Sequence, residues 1–95
     1  MYWVYVLECP DDRSWYIGYT SDLDKRLIQH NSGYGSKTTR KKINAQQRGE
    51  ALRWKLIYCE GYLDISDAKG REVFLKSGAG RKFLKKQLAN YLSKP

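Results

Sequence analysis

Tyr2-Trp3-Val4-Tyr5-Val6-Leu7, then Pro10-Asp11-Asp12-Arg13, then Ser14-Trp15-Tyr16-Ile17-Gly18-Tyr19-Thr20 stand in succession at the head of the chain, and their reading decides the fold. Two runs of β-branched and aromatic residues flank a short piece of turn chemistry. Proline presets its φ and aspartate tolerates turn geometry, so the chain is expected to reverse there. The two runs are predicted to pair as an antiparallel hairpin. Gly18, inside the second run, marks a bulge or a close approach of another group to the backbone.

Outward from the hairpin, Ser21 is the expected N-cap of a helix from Asp22 to Asn31, with Asp24 near the capping-box position. Leu23, Leu27 and Ile28 form its expected core stripe, and Arg26 and His30 are assigned to a different face. Ser32-Gly33-Tyr34-Gly35-Ser36 ends that helix and opens a basic loop carrying Lys37, Arg40, Lys41 and Lys42. A helical turn is expected over 44–52, and a strand from Arg53 to Tyr62. A helix follows from Ser66 to Lys76, with Gly70 as a weak point within it. Ser77-Gly78-Ala79-Gly80 is read as a break. The last predicted helix runs from Arg81 to Leu92, with Phe83, Leu84, Leu88 and Tyr91 inward and Lys82, Lys85 and Lys86 outward. The order β-β-α-β-α-α predicts an α+β architecture, a small central three-stranded sheet flanked by helices. The 95 residues make one domain, 1–95, with a single modest core.

Composition narrows the partners. Hydrophobic residues make up 41% and aromatic residues 14%, which a disordered chain does not show. No apolar run is long enough to cross a membrane, and no basic n-region or cleavage site precedes the first strand, so a cytoplasmic protein is expected. Cys9 and Cys59 form no CxxC pair. Zinc is unsupported, and two buried, reduced thiols are expected. The net charge is +8, and the bases are concentrated after residue 24. That one-sided excess favours a polyanion, nucleic acid before anionic membrane. Lys37, Arg40, Lys41 and Lys42, with Arg81 and Lys82, are the expected backbone-tracking surface. No helix-turn-helix stands out, so base-specific reading is not expected.

Five residues have the chemistry of a phosphodiester site. Tyr5 and Tyr16 each bring an apolar body with a polar tip. Arg26 presents a planar fork suited to phosphate oxygens. His30, the one histidine of the chain, trades a proton near neutral pH. Glu72 is a carboxylate able to hold a divalent ion whose shell water and phosphate complete. Taken singly, each has an ordinary reading: sheet packing for the tyrosines, an ion pair with Asp22 for Arg26, and a helix-end cation for His30. For Glu72 it is a solvated pair with Lys69, Arg71 or Lys76. There is no carboxylate pair at helical spacing near Glu72, no P-loop and no GxSxG elbow.

As an ordered set, these residues resemble the GIY-YIG nuclease superfamily, in particular its small stand-alone bacterial members. Val4-Tyr5 looks like the end of the first motif, with Trp3 in place of its glycine, and Tyr16-Ile17-Gly18 matches the second motif. Thr20 to Leu27 is similar to the helix that follows, with Arg26 at its essential arginine. Gln29-His30-Asn31 matches the pattern where the family also keeps a histidine, and Glu72 its metal-binding glutamate. The resemblance implies a metal-dependent endonuclease that hydrolyses single-stranded or branched DNA and leaves a 5′ phosphate. It implies that Glu72 holds one Mg²⁺ or Mn²⁺ and that Arg26 stabilises charge on the scissile phosphate. Tyr5 is then the general base, its pKa lowered by nearby cations, while Tyr16 and His30 position phosphate or water. Tyr19 stands where some relatives place a lysine, and Asn90 is a loosely spaced match to a late asparagine. The alternative expectation is a catalytically silent DNA- or RNA-binding subunit that needs a partner protein.

Overall fold

The computed structural model describes residues 1–32, 36, 39 and 54–95. The expected helical turn at 44–52, Tyr34, Arg53 and the basic loop residues Lys37, Arg40, Lys41 and Lys42 lie outside the described residues. The opening hairpin forms as read: β1 (Tyr2–Glu8) pairs antiparallel with β2 (Trp15–Thr20). Its turn is closed by Cys9 N–H donating to Ser14 O at 2.8 Å and Arg13 N–H to Cys9 O at 2.9 Å. Arg13 holds φ 62°, the left-handed region that side chains other than glycine seldom adopt. Helix α1 (Leu23–Asn31) follows, and β3 (Lys55–Tyr62) then lines the other side of β1. The sheet order is therefore β2-β1-β3, antiparallel throughout.

The central place of β1 explains its composition. Val4, Tyr5, Val6 and Leu7 are all buried, because both faces of this strand are covered. Val4 and Val6 point to one side with Ile17, Ala68, Leu75 and Leu84. Tyr5 and Leu7 point to the other with Cys9 and Trp54, packed by Leu23 and Leu27 of α1. Where β3 pairs with β1, Val6 faces Tyr58 but Leu7 faces Leu56. The extra residue, Ile57, is a bulge, and it lets Ile57 and Tyr58 both join the Val4 side.

Among the described residues three further helices follow β3: α2 (Ile65–Lys76), α3 (Gly78–Gln87) and α4 (Ala89–Leu92). Glu60 of β3 ties α2 to the sheet. Its carboxylate accepts from Arg71 Nε at 2.9 Å and Nη2 at 3.0 Å, and from the Tyr58 and Tyr62 hydroxyls. The break between α2 and α3 is Ser77 alone, which caps α3 by accepting from Gly80 N–H. Gly78 and Gly80 belong to the first turn of α3, not to a linker. Gly80 is there because two helices meet at its Cα. A methyl at that position would strike the Phe74 carbonyl oxygen and the Leu75 Cα, both backbone atoms. Gly80→Ala is therefore expected to cost about 1–3 kcal/mol through overpacking, read as a lower urea midpoint with an unchanged slope.

Other boundaries also move. Asp22, not Ser21, caps α1, with its side chain accepting from Lys25 N–H. The last predicted helix is two, because the chain re-turns at Leu88. Its facing is as read, with Leu84 buried and Lys82, Lys85 and Lys86 exposed. Ile28 is 67% exposed and leaves the core stripe. The inward face of α1 instead runs Leu23, Arg26, Leu27, His30 and Asn31, at helical spacing, so Arg26 and His30 share the core face. Both cysteines are free, but Cys59 is exposed and only Cys9 is buried.

Candidate active site

Gly18 lies directly opposite Tyr5 in the β1–β2 ladder. The ladder is unbroken there, so the glycine marks a close approach and not a bulge. A Cβ on Gly18 would sit 2.7 Å from the Tyr5 hydroxyl oxygen and 2.9 Å from the ring carbon that bears it. The missing side chain is the space in which the Tyr5 phenol lies. From there Tyr5 Oη reaches His30 Nε2 at 2.9 Å. Tyr16, two residues before Gly18, closes the group from β2. Its ring centroid is 4.9 Å from His30 and 6.3 Å from Tyr5.

His30 is wholly buried, although the sequence set it on a different face from the core stripe. Its second nitrogen, Nδ1, lies 2.6 Å from Thr39 Oγ1, and Thr39 is equally buried. The Thr39 hydroxyl donates in turn to Ser36 O at 3.3 Å. A hydroxyl has one proton to give; with that proton on Ser36 O, Thr39 accepts from His30 Nδ1–H. Burial lowers the His30 pKa to about 4, and the Arg26 charge pushes the same way. His30 is therefore a neutral imidazole and no helix-end cation. A neutral ring with its proton on Nδ1 has a bare Nε2, which accepts the Tyr5 O–H. The chain of donors runs Tyr5, His30, Thr39, Ser36.

Tyr5 departs from expectation. Its pKa is raised to about 12, not lowered, because burial outweighs the hydrogen bonding and charge of Arg26, while Tyr16 and Glu72 add to the rise. The same influences show that Arg26 and Glu72 both act on this phenol. Arg26 donates from Nη1 to Gln29 Oε1 at 3.0 Å, which fixes half its fork. It does not make the expected pair with Asp22, whose carboxylate is committed to the cap. Glu72, on α2, meets Lys76 Nζ at 3.5 Å, and its side chain is 17% exposed. Of its other expected partners, Arg71 is taken by Glu60 and Lys69 lies over the Tyr19 ring.

The structure thus brings Tyr5, Tyr16 and His30 into contact, with Arg26 and Glu72 close enough to shift Tyr5. Arg81 and Lys82 are exposed on α3. Asn90 is exposed on α4, and among the described residues no hydrogen bond joins its side chain to the group. Thr39, which holds His30, has no place in the sequence reading, and Gln29, which holds Arg26, appears there only within the Gln29-His30-Asn31 pattern. Only the i,i+3 spacing of Gln29 from Arg26 pointed to one of them. Asn31 was quoted in the motif, and its side chain clips the Trp54 backbone, accepting from N–H and donating to O.

The low His30 pKa has a measurable consequence. Its folded pKa lies below the ordinary 6.5, so the unfolded chain binds the extra proton first as pH falls. The stability is fully present above pH ~6.5 and is lost as pH drops toward ~4, by roughly 3 kcal/mol in all. Urea midpoints taken between these pH values are expected to fall for the wild type. In His30→Gln that slope should flatten, since no other histidine exists to titrate there.

The model of the GIY-YIG catalytic domain matches residues 1–86. The chain belongs to the GIY-YIG family. This is a nuclease family. A UPF0213 protein of Streptococcus pneumoniae is 43% identical over 74 residues, 78% of this chain. The chain spans 65% of the length of that relative. A UPF0213 protein of Haloquadratum walsbyi is 38% identical over 88 residues, covering 93% of this chain and 85% of the relative. The solution NMR structure of a UPF0213 protein from Bacillus halodurans matches with a TM-score of 0.50 at 34% identity, over 100% of this chain and 89% of that one.

Proposed function

We propose that this GIY-YIG domain is a metal-dependent endonuclease acting in the cytoplasm on single-stranded or branched DNA. The observation that carries the reading is the buried Tyr5–His30 hydrogen bond at 2.9 Å, set beside an arginine and a carboxylate. A structural tyrosine would be satisfied by any acceptor. This one is aimed at a bare imidazole nitrogen that is itself backed by Thr39.

A Tyr5 pKa of about 12 rules out a standing phenolate as the base. The hydrogen-bond chain offers another route. The Tyr5 oxygen accepts a proton from the attacking water while its own proton passes to His30 Nε2. The water oxygen bonds to phosphorus and the 3′ oxygen leaves. His30 becomes an imidazolium with Nδ1–H still on Thr39, and neither a free phenolate nor a second base is required. Arg26, with half its fork fixed by Gln29, binds a non-bridging phosphate oxygen. Tyr16 walls the site against the imidazole and orients the phosphate.

Among the described residues no three acidic, histidine or cysteine side chains converge on one point. A cage made wholly of protein is therefore absent from them. Glu72 alone fits Mg²⁺ or Mn²⁺, hard ions that bind through one carboxylate when water and phosphate oxygens supply the rest. When bound, such an ion would stabilise the charge on the leaving 3′ oxygen. No helix among the described residues is long and apolar enough to cross a membrane.

The test is incubation of end-labelled single-stranded and branched DNA with Mn²⁺, with and without EDTA. Cuts that carry a 5′ phosphate and disappear with EDTA are expected. Intact DNA alongside salt-sensitive binding would replace this reading with that of a binding subunit awaiting a protein partner.

A further inference from the structure

The hairpin turn and α3 enclose a pocket of about 540 Å³ on the sheet face opposite the Tyr5–His30 pair. Trp15 marks the side: it packs with Val4 and Val6, whereas Tyr16 packs with Tyr5. The volume lies within the ~300–1,000 Å³ of small-molecule sites. Arg13, Arg81 and Lys85 all line it. Arg81 and Lys85 stand one helical turn apart on α3, and among the described residues neither is ion-paired. Cations gathered on one concavity repel until an anion enters.

The floor has different chemistry. Glu8 is 4% exposed and accepts from Trp15 Nε1 at 3.0 Å and from the Tyr91 hydroxyl, with Arg13 Nε at 3.5 Å. Beside it, the Ser14 hydroxyl is buried with no hydrogen-bond partner. Such a group is rare in a folded protein and calls for a ligand or water. Trp15 and Leu92 supply the apolar walls. Two unpaired cations on one helix, apolar walls, and a buried carboxylate and hydroxyl in the same pocket match an anion on a flat body that also carries a hydrogen-bond donor.

We propose that this pocket binds a nucleoside 5′-monophosphate unit whose base carries an exocyclic amine. The phosphate rests on Arg81 and Lys85, the base lies along Trp15, and the amine donates to Glu8 or Ser14. Thymine has no such amine and fits worse. The proposal does not depend on hydrolysis at Tyr5, and it is tested in EDTA, where failure of the nuclease reading cannot affect the result.

Wild type would be titrated by calorimetry with dAMP, dTMP and inorganic phosphate, and followed in parallel by tryptophan fluorescence. Saturable one-site binding is expected, with dAMP about tenfold tighter than dTMP and phosphate weakest. Lys85→Gln and Arg81→Gln, both at exposed positions, should each weaken dAMP about tenfold or more. Trp15→Phe should remove the fluorescence change, which Trp3 and Trp54 would otherwise still report. Equal affinity for the three ligands, absence of saturation, or unaltered binding in both cation variants would overturn the proposal. A single-stranded oligodeoxyadenylate separates the two sources of the ligand. Displacement of dAMP means that the pocket takes a nucleotide of a strand, and no displacement means that it takes the free mononucleotide.

Discussion

Glu72→Ala is expected to reduce metal-dependent DNA cleavage by ~10³-fold or more, since Lewis-acid stabilisation of a leaving oxygen is worth several kcal/mol and each 1.36 kcal/mol is tenfold. The fold should be indifferent. The one ion pair recorded for Glu72 is to Lys76, half exposed at 3.5 Å, and such pairs contribute about 0–1 kcal/mol. Assays of wild type, Glu72→Ala and Glu72→Gln across a Mn²⁺ series would settle the assignment. A wild-type rate in the alanine variant would remove Glu72 from the site.

Tyr5→Phe is expected to lower the rate by about 10²–10⁴-fold, the usual scale for a positioned proton-transfer group. Phenylalanine keeps the ring beneath Gly18 and beside Tyr16, so the geometry survives. What disappears is the oxygen through which water and His30 are joined. The variant also leaves Nε2 of a fully buried imidazole without a donor, which should cost about 1–3 kcal/mol of stability. The pH profile supplies an independent check. If His30 takes the proton, activity needs it neutral, and with a pKa of about 4 the acid limb should fall near that value. A wild-type limb centred near 6.5, or full activity in Tyr5→Phe, would show that the proton travels elsewhere.

The hairpin and the three strands were legible because runs of β-branched and aromatic residues broken by turn chemistry have few other readings. The five candidate residues stand out in the sequence as an ordered set, but their environments do not. Arg26 and His30 were set apart from the core stripe because polar side chains do not join an apolar stripe until their partners are known. The partners are Gln29, one helical turn away, and Tyr5 and Thr39, which only the tertiary fold brings near. The sign of the Tyr5 shift follows from β1 being the central strand, and strand order is not encoded in alternation. Gly80 was read as a breaker because the sequence shows its missing side chain but not the helix end that fills the space. Asp22 took the cap from Ser21 by a single residue, a distinction that propensity alone does not make.

The facing of Gly18 and Tyr5 across the ladder sets a limit on the turn that joins their strands. In an antiparallel pair, a shift of one residue exchanges the two faces of a strand. One residue added to or removed from the turn between Cys9 and Ser14, if it passed into the pairing, would set Ile17 or Tyr19 opposite Tyr5 in place of Gly18. The phenol would then have no room, and the imidazole no donor. The length of this turn, ordinarily the most forgiving property of a hairpin, is here tied to the room that the Tyr5 phenol needs.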